Sequence, residues 1–192
     1  MLKGSRCESA KCPMERQERS LPPGMAKAFR RAKGTEYGKR LREKQKVKRY
    51  YGLFEKQFRK YFAMAQHSKA NTGEALMALL ERRLDNVICK LGFAPSRKSA
   101  RVAIVHNHFT VNGIRVNRPS YLVKAGDVIG VRNREGSRKM VKSLVEQENA
   151  IQPQPWLSLD VQRLEGKVSN LPSREDVQIP VEEQLVVEFC SR

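Results

Sequence analysis

Acidic residues, aromatic residues and long apolar runs are all scarce in this sequence. Of 192 residues, 20 are Asp or Glu against 38 Lys or Arg, which gives a formal net charge of +18, and aromatic residues make up 7%. No uninterrupted apolar run approaches the roughly eighteen residues of a membrane-spanning helix, and the first residues, MLKGSRCESAKCP, lack the apolar core of a signal peptide. We therefore expect a cytoplasmic protein that does not bind a membrane.

Catalytic motifs are missing as well. The sequence contains no G-x-S-x-G motif, no P-loop, no dinucleotide fingerprint and no dense pair of carboxylates in a Gly-rich context. With 40% hydrophobic residues, however, the chain can bury a core. These features favour a folded protein that is not an enzyme.

The positive charge is concentrated towards the start of the chain. Residues 1–70 carry 20 Lys and Arg against 6 Asp and Glu, residues 71–145 carry 14 against 5, and residues 146–192 carry 4 against 9. Cations that contact phosphates release condensed counterions, so this excess favours a polyanionic partner such as nucleic acid. The acidic final segment is expected to face a basic protein or the chain's own basic part instead.

The first third of the chain divides into an arm and two helices. Residues 1–38 are rich in Arg, Lys, Pro and Gly without apolar periodicity, which predicts an extended basic arm. The run KRLREKQKVKRYY, residues 39–51, predicts a helix with a thin apolar face. The next run, LFEKQFRKYFAMAQ, predicts a second helix whose aromatic stripe is typical of a core face.

Two further helices are predicted before the pattern changes. Asn71 and Glu74 resemble a capping box that opens the first of them, whose apolar face continues to Gly92 with a bend near Arg83. APSRKSARVAIVHN predicts a shorter helix with Ser96 as its N-cap. On this helix we expect an inward apolar face and an outward basic face, formed respectively by Val102, Ile104 and Val105 and by Arg97, Lys98 and Arg101.

From residue 108 onwards the apolar period is two, which is typical of strands. HFTVNGIRV predicts a hairpin around Asn112 and Gly113, because a type I′ turn needs positive φ at both central residues. SYLVKAGDVIGVR predicts another pair of strands across residues 124–127, and strand-like runs follow in PWLSLDVQRLEGKVSNLP and IPVEEQLVVEF. Helices followed by strands indicate an α+β protein.

His106 and His108 lie two residues apart and could in principle share a metal ion. No Cys, Asp or Glu lies close in sequence to complete a ligand set, however. The alternative is structural: His106 ends a helix, Asn107 adopts the left-handed conformation after it, and His108 begins a strand. This second interpretation accounts for more of the residues, and we prefer it.

Cys7 and Cys12 are separated by four residues and could form half of a zinc site. The other two cysteines do not supply the missing half. Cys89 lies on an apolar helix face and Cys190 in a segment expected to be an apolar strand, where a buried cysteine behaves as a small hydrophobic residue.

The segment SRKSARVAIVHNHFTVNGIRVNRPSYLVKAGDVI resembles the small RNA-binding module named after bacterial ribosomal small-subunit protein four. The flanking segments LPPG, LREKQKVKRYYG, NTGEALMALLERRLDNV, PWLSLD and EEQLVVEFCSR also resemble that family, so the resemblance covers essentially the whole chain. The module also occurs in tyrosyl-tRNA synthetases, pseudouridine synthases and a ribosome-rescue protein. The flanking segments distinguish the ribosomal family from these other proteins.

The resemblance implies a structural constituent of the small ribosomal subunit in the bacterial cytoplasm. Such a protein binds 16S-type ribosomal RNA early, nucleates assembly of the subunit body, contacts small-subunit protein five and other small-subunit proteins, and contributes to translational accuracy. The implied fold is an arm over residues 1–38, a helical domain over 39–81, and an inserted RNA-binding module of helices on an antiparallel sheet over 82–145. A strand-rich segment, 146–192, then returns to the helical domain.

Carried over by position, the resemblance assigns RNA contacts to two groups of residues. In the module these are Arg97, Lys98 and Arg101 together with Asn112 and Gly113 in the hairpin turn. In the helical domain they are Lys39, Arg40, Arg42, Lys44, Lys46, Lys48 and Arg49. Glu182 and Glu183 are expected to face a protein partner.

Two departures from the family pattern bear on metal binding. Zinc-binding members carry a cysteine pair ahead of the position where this sequence begins, so Cys7 and Cys12 match only the later pair. No cofactor is required by the resemblance, and zinc is expected only if such an upstream pair precedes this sequence. The family often has Gly where Asn107 stands, which favours the structural interpretation of the two histidines.

Two other functions remain as alternatives at this point. A free-standing RNA-rescue or RNA-modification factor could borrow the same module, although this sequence offers no room for an added catalytic domain. A zinc-dependent structural protein would use Cys7 and Cys12. Ribosome stoichiometry and metal content respectively would distinguish them.

Overall fold

The structure is a computed structural model that describes residues 34–147, 154–177 and 179–191, together with Cys7, Ser9, Ala10 and Cys12. These residues form seven helices and five strands, in the order α1 (Glu36–Tyr50), α2 (Glu55–Gln66), α3 (Thr72–Glu81), α4 (Leu84–Lys90), α5 (Arg97–Val105), β1 (Phe109–Val111), β2 (Ile114–Arg115), β3 (Val128–Val131), α6 (Glu135–Gln147), β4 (Leu157–Asp160), β5 (Glu165–Val168) and α7 (Glu183–Cys190). The expected α+β class is confirmed. Most of the arm predicted over residues 1–38 lies outside the described residues.

Helices α1, α2, α3 and α7 pack around one hydrophobic core, and we call them the helical body. The hydroxyl of Thr35 caps α1 by accepting a hydrogen bond from the Gly38 amide at 3.1 Å, and Gly52, with φ of +61°, reverses the chain after it. The aromatic stripe predicted on α2 is buried. The core combines residues from both ends of the chain, including Val47, Tyr51, Phe58, Phe62, Leu76, Leu80, Ile179 and Val186.

The C-terminal element α7 is a helix, so the strand predicted over IPVEEQLVVEF, with Cys190 in it, is wrong. The neighbouring valines favour a strand locally. The apolar residues Leu185, Val186, Phe189 and Cys190 also fit helical spacing, and packing against α1 and α3 decides between the two. Context therefore overrides local β-propensity here.

Helices α4, α5 and α6 pack with a five-stranded sheet, and we call α4 through β5 the sheet body. Every pairing is antiparallel, and the strand order is β2-β1-β3-β5-β4. A second core lies between sheet and helices and includes Leu84, Ile88, Phe93, Ile104, Phe109, Ile129, Trp156 and Val168. Strands β4 and β5 thus belong to the sheet body, whereas Val177, Ile179, Val181 and Val186 pack in the core of the helical body.

The pair of strands predicted across residues 124–127 is only half present. Residues 128–131 form β3, but Leu122 makes an isolated bridge with Arg83 instead of a strand that pairs with β3. The Asp127 carboxylate accepts a hydrogen bond from the Lys124 amide at 2.8 Å and holds the turn. The bend predicted near Arg83 is a true break, because α3 ends at Glu81 and α4 begins at Leu84.

Helix α6 is absent from the expectations drawn from sequence. Met140, Val141, Leu144 and Val145 have the spacing of one helical face, but the short stripe stands among charged residues. Val141 and Val145 are buried in the sheet-body core. This weak apolar stripe is the signal that could have identified the helix.

The inward face predicted for α5 is wrong for two of its three residues. Val102 and Val105 are 59% and 55% exposed, and only Ile104 is buried. The inward side is instead completed by Ala100 and Ala103. Small side chains let α5 approach α4 closely, whereas valines at those positions would hold the helices apart.

Candidate nucleic-acid interface

The two histidines flank a helix end of the kind predicted. Asn107 has φ of +61°, its amide donates to the Ile104 carbonyl at 2.8 Å, and the His108 amide donates to the Ala103 carbonyl at 3.1 Å. This pair of bonds is a Schellman motif, in which the left-handed residue satisfies the last helical carbonyls. The structural interpretation of His106 and His108 is therefore confirmed.

His108 also connects β1 to α6. Its Nδ1 lies 2.8 Å from the hydroxyl of the buried Ser137, in the first turn of α6. Burial lowers the pKa of His108, and the nearby charges of His106, Arg134 and Arg132 lower it further. The imidazole therefore serves as a neutral packing and hydrogen-bonding group at neutral pH.

The hairpin turn has the predicted geometry, since Asn112 and Gly113 have φ of +51° and +78°. The Asn112 side chain is used internally. Its Nδ2 donates to Asp127 Oδ1 at 2.9 Å, and its Oδ1 accepts from the Val128 amide at 2.9 Å. Asn112 and Gly113 are both exposed at the tip, and the two side-chain hydrogen bonds of Asn112 hold the turn in place.

Arg97 and Arg101 do not extend into solvent from the outer face of α5. Arg97 Nε donates to Asn86 Oδ1 at 2.7 Å, and its guanidinium lies 4.0 Å from the ring centroid of Tyr50 at the end of α1. The two residues face the helical body, so the outward orientation expected for them is wrong. Lys98 alone of the three basic residues is exposed, and it has no carboxylate within ion-pair distance among the described residues.

Arg101 makes one contact within the sheet body and two across the boundary to the helical body. Its Nε donates to Asp85 Oδ2 at 2.6 Å, its Nη1 donates to the Gly52 carbonyl at 2.6 Å, and its Nη2 donates to the Tyr51 carbonyl. Gly52 makes room for it, because a Cβ atom there would lie 2.9 Å from Arg101 Nη1. The guanidinium therefore ties α5 directly to the end of α1.

Buried charged groups of the helical body and the sheet body also contact one another beneath the surface. Glu81, at 0% exposure, accepts from the Tyr51 hydroxyl at 2.6 Å and from the Asn86 amide at 2.5 Å, and pairs with Lys90 at 2.7 Å. Burial and the Glu81 charge raise the pKa of the Tyr51 hydroxyl far above its usual range. These groups satisfy one another, as buried polar groups must.

A second buried pair adjoins the first. Arg83 Nη2 and Nε donate to the two Asp85 oxygens at 2.7 and 3.1 Å, and its Nη1 donates to the Tyr61 hydroxyl at 2.7 Å. We call the whole set the polar joint; its members are Tyr51, Tyr61, Glu81, Arg83, Asp85, Asn86, Lys90, Arg97 and Arg101. The only sequence signal for it is the cluster of charged and amide residues inside the apolar run LERRLDNV.

The basic residues of α1 separate into two faces. Lys39, Arg42, Lys46 and Arg49, spaced by three or four residues, are exposed along one side, and we call them the α1 stripe. The other side is turned inward: Arg40 pairs with Glu188 at 2.8 Å, and Lys44 and Lys48 pair with Glu55 at 2.7 and 3.0 Å. Lys44 is buried, so its expected placement on an RNA-facing surface is wrong.

These ion pairs perturb Glu55 strongly. The hydrogen bond from Lys44 and the neighbouring Lys48 lower the pKa of Glu55 to about 2, against the opposing effect of burial. Arg42, Lys46 and Arg49 of the α1 stripe line an open groove of about 940 Å³, together with Tyr50, Ile179 and Pro180. Basic side chains beside a shallow groove can receive a nucleic-acid backbone.

The two acidic residues expected to contact a protein differ in exposure. Glu182 is exposed immediately before α7, whereas Glu183 is half-buried and pairs with Arg174. The Cβ of Glu183 also packs against Gly73 at the start of α3. Glu183 therefore contributes to the helical body, and Glu182 is the one available to a partner.

Cys7 and Cys12 do not form a zinc site with other described residues. Cys7 is half-buried and Cys12 is buried, and the Cys12 amide donates to the Ser9 carbonyl at 2.9 Å. No group of three or more His, Cys, Asp or Glu side chains that could hold a metal ion occurs among the residues with described positions. Two thiolates are too few ligands for a structural zinc ion.

No helix within the described ranges is long and apolar enough to cross a membrane.

Comparison with known proteins identifies two family models along the chain. The model for the ribosomal protein S4/S9 N-terminal domain matches residues 1–81, and the model for the S4 domain matches residues 82–129. Together they define the class: a ribosomal protein that carries an S4 domain.

Curated relatives match over the whole chain. Small ribosomal subunit protein uS4 of Halothermothrix orenii is 52% identical over 191 residues, protein uS4A of Symbiobacterium thermophilum is 51% identical, and protein uS4 of Thermus thermophilus is 49% identical. Each match covers 100% of this chain and 90% of the relative. The chain belongs to the uS4 family of small ribosomal subunit proteins, which are structural proteins and not enzymes. The family expected from the sequence and its non-enzymatic nature are confirmed.

Proposed function

We propose that this protein is a primary binder of 16S-type ribosomal RNA that nucleates assembly of the small-subunit body in the bacterial cytoplasm and contributes to translational accuracy. The observation that carries the proposal is similarity to small ribosomal subunit proteins over the full chain, combined with a net charge of +18. A protein of this charge gains affinity for RNA from each phosphate it neutralises.

The RNA-binding surface we propose consists of exposed cations on both bodies. Side chains do not reach base edges in the deep, narrow major groove of an A-form helix, so these cations recognise the position of phosphates and the shape of the fold. The residues in this role are those the structure leaves exposed: the α1 stripe (Lys39, Arg42, Lys46 and Arg49), Lys98 and the hairpin tip at Gly113.

The polar joint supports this function by holding the two bodies at one relative position. A ribosomal RNA junction presents phosphates at fixed separations, and a protein that is already ordered loses less entropy when it binds. Arg97, Arg101 and Asn112 act in this scheme as positioning residues, and Arg40, Lys44 and Lys48 stabilise the helical body through Glu188 and Glu55.

Salt dependence of binding tests RNA recognition. The dissociation constant for 16S-type ribosomal RNA should rise by about three decades or more over a fourfold increase in salt, if roughly six or more phosphates are neutralised. Binding that is insensitive to salt would contradict the proposal.

Stoichiometry separates a ribosomal constituent from a free-standing factor that uses the same module. We expect one copy per small subunit after a high-salt wash, measured by sedimentation and quantitative mass spectrometry. A rescue or modification factor would be substoichiometric under the same wash. The same preparation, analysed for zinc, tests whether Cys7 and Cys12 have a ligand role.

We also propose small-subunit protein five and other small-subunit proteins as partners, with Glu182 at the contact. Glu182 is exposed on the acidic C-terminal segment, where it can pair with a basic protein. Glu182→Lys should weaken binding of purified protein five, while Glu175→Lys, an equal charge change at another exposed position of the segment, should not. Equal effects of the two variants would remove Glu182 from the interface.

A further inference from the structure

The cations in and just before α6 have fewer internal partners than those of α1, of which only Arg42 and Arg49 have no carboxylate within 4.0 Å among the described residues. On α1 and around it, Lys39 pairs with Glu36 at 2.6 Å and Lys46 with Glu43 at 2.6 Å. By contrast, Arg132, Arg134, Arg138 and Lys139 have no carboxylate within 4.0 Å among the described residues, and Lys142 has only the exposed Glu146, at 3.9 Å. We call these five residues, Arg132, Arg134, Arg138, Lys139 and Lys142, the α6 surface.

The α6 surface is held rigidly on the sheet body. The opposite side of α6 buries Val141 and Val145 in the core, and Ser137 in the first turn contacts His108. The Arg138 amide donates to the Arg134 carbonyl at 3.0 Å, so the helical hydrogen bonding starts at Arg134. Arg134, Arg138 and Lys142 therefore form one row, with steps of about 6 Å along the helix axis.

This row is unfavourable for an isolated helix. Like charges four residues apart destabilise a helix, and salt screens but does not remove the effect. A partner that brings negative charge to this row would relieve the repulsion.

We propose that the α6 surface binds the phosphate backbone of structured RNA, as a contact additional to the residues assigned to RNA binding above. The proposal rests on the RNA-binding function proposed above and extends it to α6 and the two arginines before it, which follow residues 82–129, the range that the S4-domain model matches. Arginine guanidinium groups form bidentate hydrogen bonds with phosphate, and three of the five cations are arginines.

The lack of exposed apolar residues favours RNA over an acidic protein. Protein interfaces take most of their affinity from a buried apolar or aromatic centre. The large hydrophobic residues exposed on the described surface include none from α6, whose exposed side chains are basic, acidic or small. A surface of unpaired cations without an apolar centre matches a phosphate backbone.

The test measures the slope of binding against salt for a double variant of the full chain. Arg134→Gln with Arg138→Gln removes two cations four residues apart and keeps good helix-forming residues. For 16S-type ribosomal RNA, the slope of log K against log salt should fall in magnitude by about 1.4 to 1.8, at roughly 0.7 to 0.9 for each phosphate that is no longer neutralised.

The control is Arg59→Gln with Arg163→Gln, which removes two exposed arginines that already pair with carboxylates, Glu55 at 3.5 Å and Asp160 at 3.7 Å respectively. We expect the control to keep the slope of the unmodified protein. Circular dichroism and the urea midpoint check that both proteins fold. If the arginine variant fails to fold, Lys139→Gln with Lys142→Gln is measured in its place.

The possible outcomes separate this inference from the proposed function. A slope in the α6 variant equal to that of the control would overturn the inference while leaving the binding of the unmodified protein intact. An unchanged slope together with loss of one neighbouring protein from reconstituted subunits would assign the surface to a protein partner, and would also overturn it. Salt-insensitive binding by the unmodified protein would refute the proposed function itself.

Discussion

Nη1 of Arg101 donates a hydrogen bond to the carbonyl oxygen of Gly52 at 2.6 Å, and this contact joins α5 of the sheet body to the end of α1 in the helical body. The same guanidinium holds Asp85 at 2.6 Å, so one side chain connects three elements. A residue in this position stabilises the relation between the two bodies, and its positive charge is already used within the protein.

Arg101→Gln should lower the free energy of unfolding by about 1 to 3 kcal/mol, because a neutral amide cannot replace the guanidinium that serves three acceptors at once. The affinity of the variant for ribosomal RNA should also fall, because its two bodies are less well ordered relative to each other. The slope of log K against log salt should stay unchanged. Urea unfolding and filter binding at several salt concentrations measure both effects.

Lys98→Gln is the matching control on the same helix. Lys98 is exposed and unpaired, so its loss should leave the urea midpoint near that of the unmodified protein and reduce the salt slope by about 0.7 to 0.9. If Arg101→Gln reduced the slope of log K against log salt by the same amount, Arg101 would be a phosphate contact after all.

Replacement of Asn107 tests the helix end between the two histidines. Asn107→Gly should be tolerated, because glycine adopts φ of +61° without a steric cost. Asn107→Val should lower the free energy of unfolding by about 1 to 2 kcal/mol, since a β-branched residue is strained in this conformation. Equal urea midpoints for the two variants would refute the role assigned to Asn107.

Glu55→Gln should change how stability depends on pH. The folded carboxyl has a pKa of about 2 against an ordinary 4.5, so its stabilising effect is complete above pH 4.5 and is lost as the pH falls from 4.5 towards 2. The variant, which lacks this carboxylate and leaves Lys44 buried without it, should be less stable at neutral pH and should lose less stability over that interval. Urea midpoints from pH 2 to 7 measure the difference.

Glu146→Gln provides the control, since Glu146 is exposed and pairs only distantly with Lys142 at 3.9 Å. Its pH profile should follow that of the unmodified protein. A Glu55→Gln profile parallel to the control at every pH would show that the ion pairs around Glu55 contribute nothing to folding.

Gly166→Ala should destabilise the sheet body by about 1 to 3 kcal/mol, because the new Cβ would lie 2.7 Å from Leu91 Cδ2. Adding Leu91→Ala should recover part of the loss, so that the two single changes sum to more than the double change. Gly136→Ala is the control, since nothing lies within 4 Å of its Cβ position. Strictly additive effects would contradict the close packing of β5 on Leu91.

Features determined by neighbouring residues follow from the sequence. The left-handed Asn107, the Asn112-Gly113 turn and the caps at Asn71 and Ser96 depend on a few adjacent side chains, and the structure has all of them. The aromatic stripe of α2 is equally local, since helical spacing alone identifies a core face.

Features determined by distant parts of the chain do not follow from the sequence in this way. Which side of α5 is covered depends on α1 and α4, so the exposed Val102 and the inward Arg101 reverse the expectation. α7 is a helix because α1 and α3 provide a surface for it, and its own valines indicate the opposite. The burial of Lys44 does not follow from the sequence either. The carboxylate that neutralises its charge, Glu55, belongs to another helix.

The position of α7 in the chain affects the order in which the protein can fold during its own synthesis. The first three helices emerge early, yet Val186 of α7 belongs to their core, and the whole sheet body lies between them in sequence. Domains generally fold as units as the chain grows. Here the sheet body can close first, whereas the helical body has to wait for its last helix. Until then the apolar residues of α1 and α3 that pack against Val186 lack this partner.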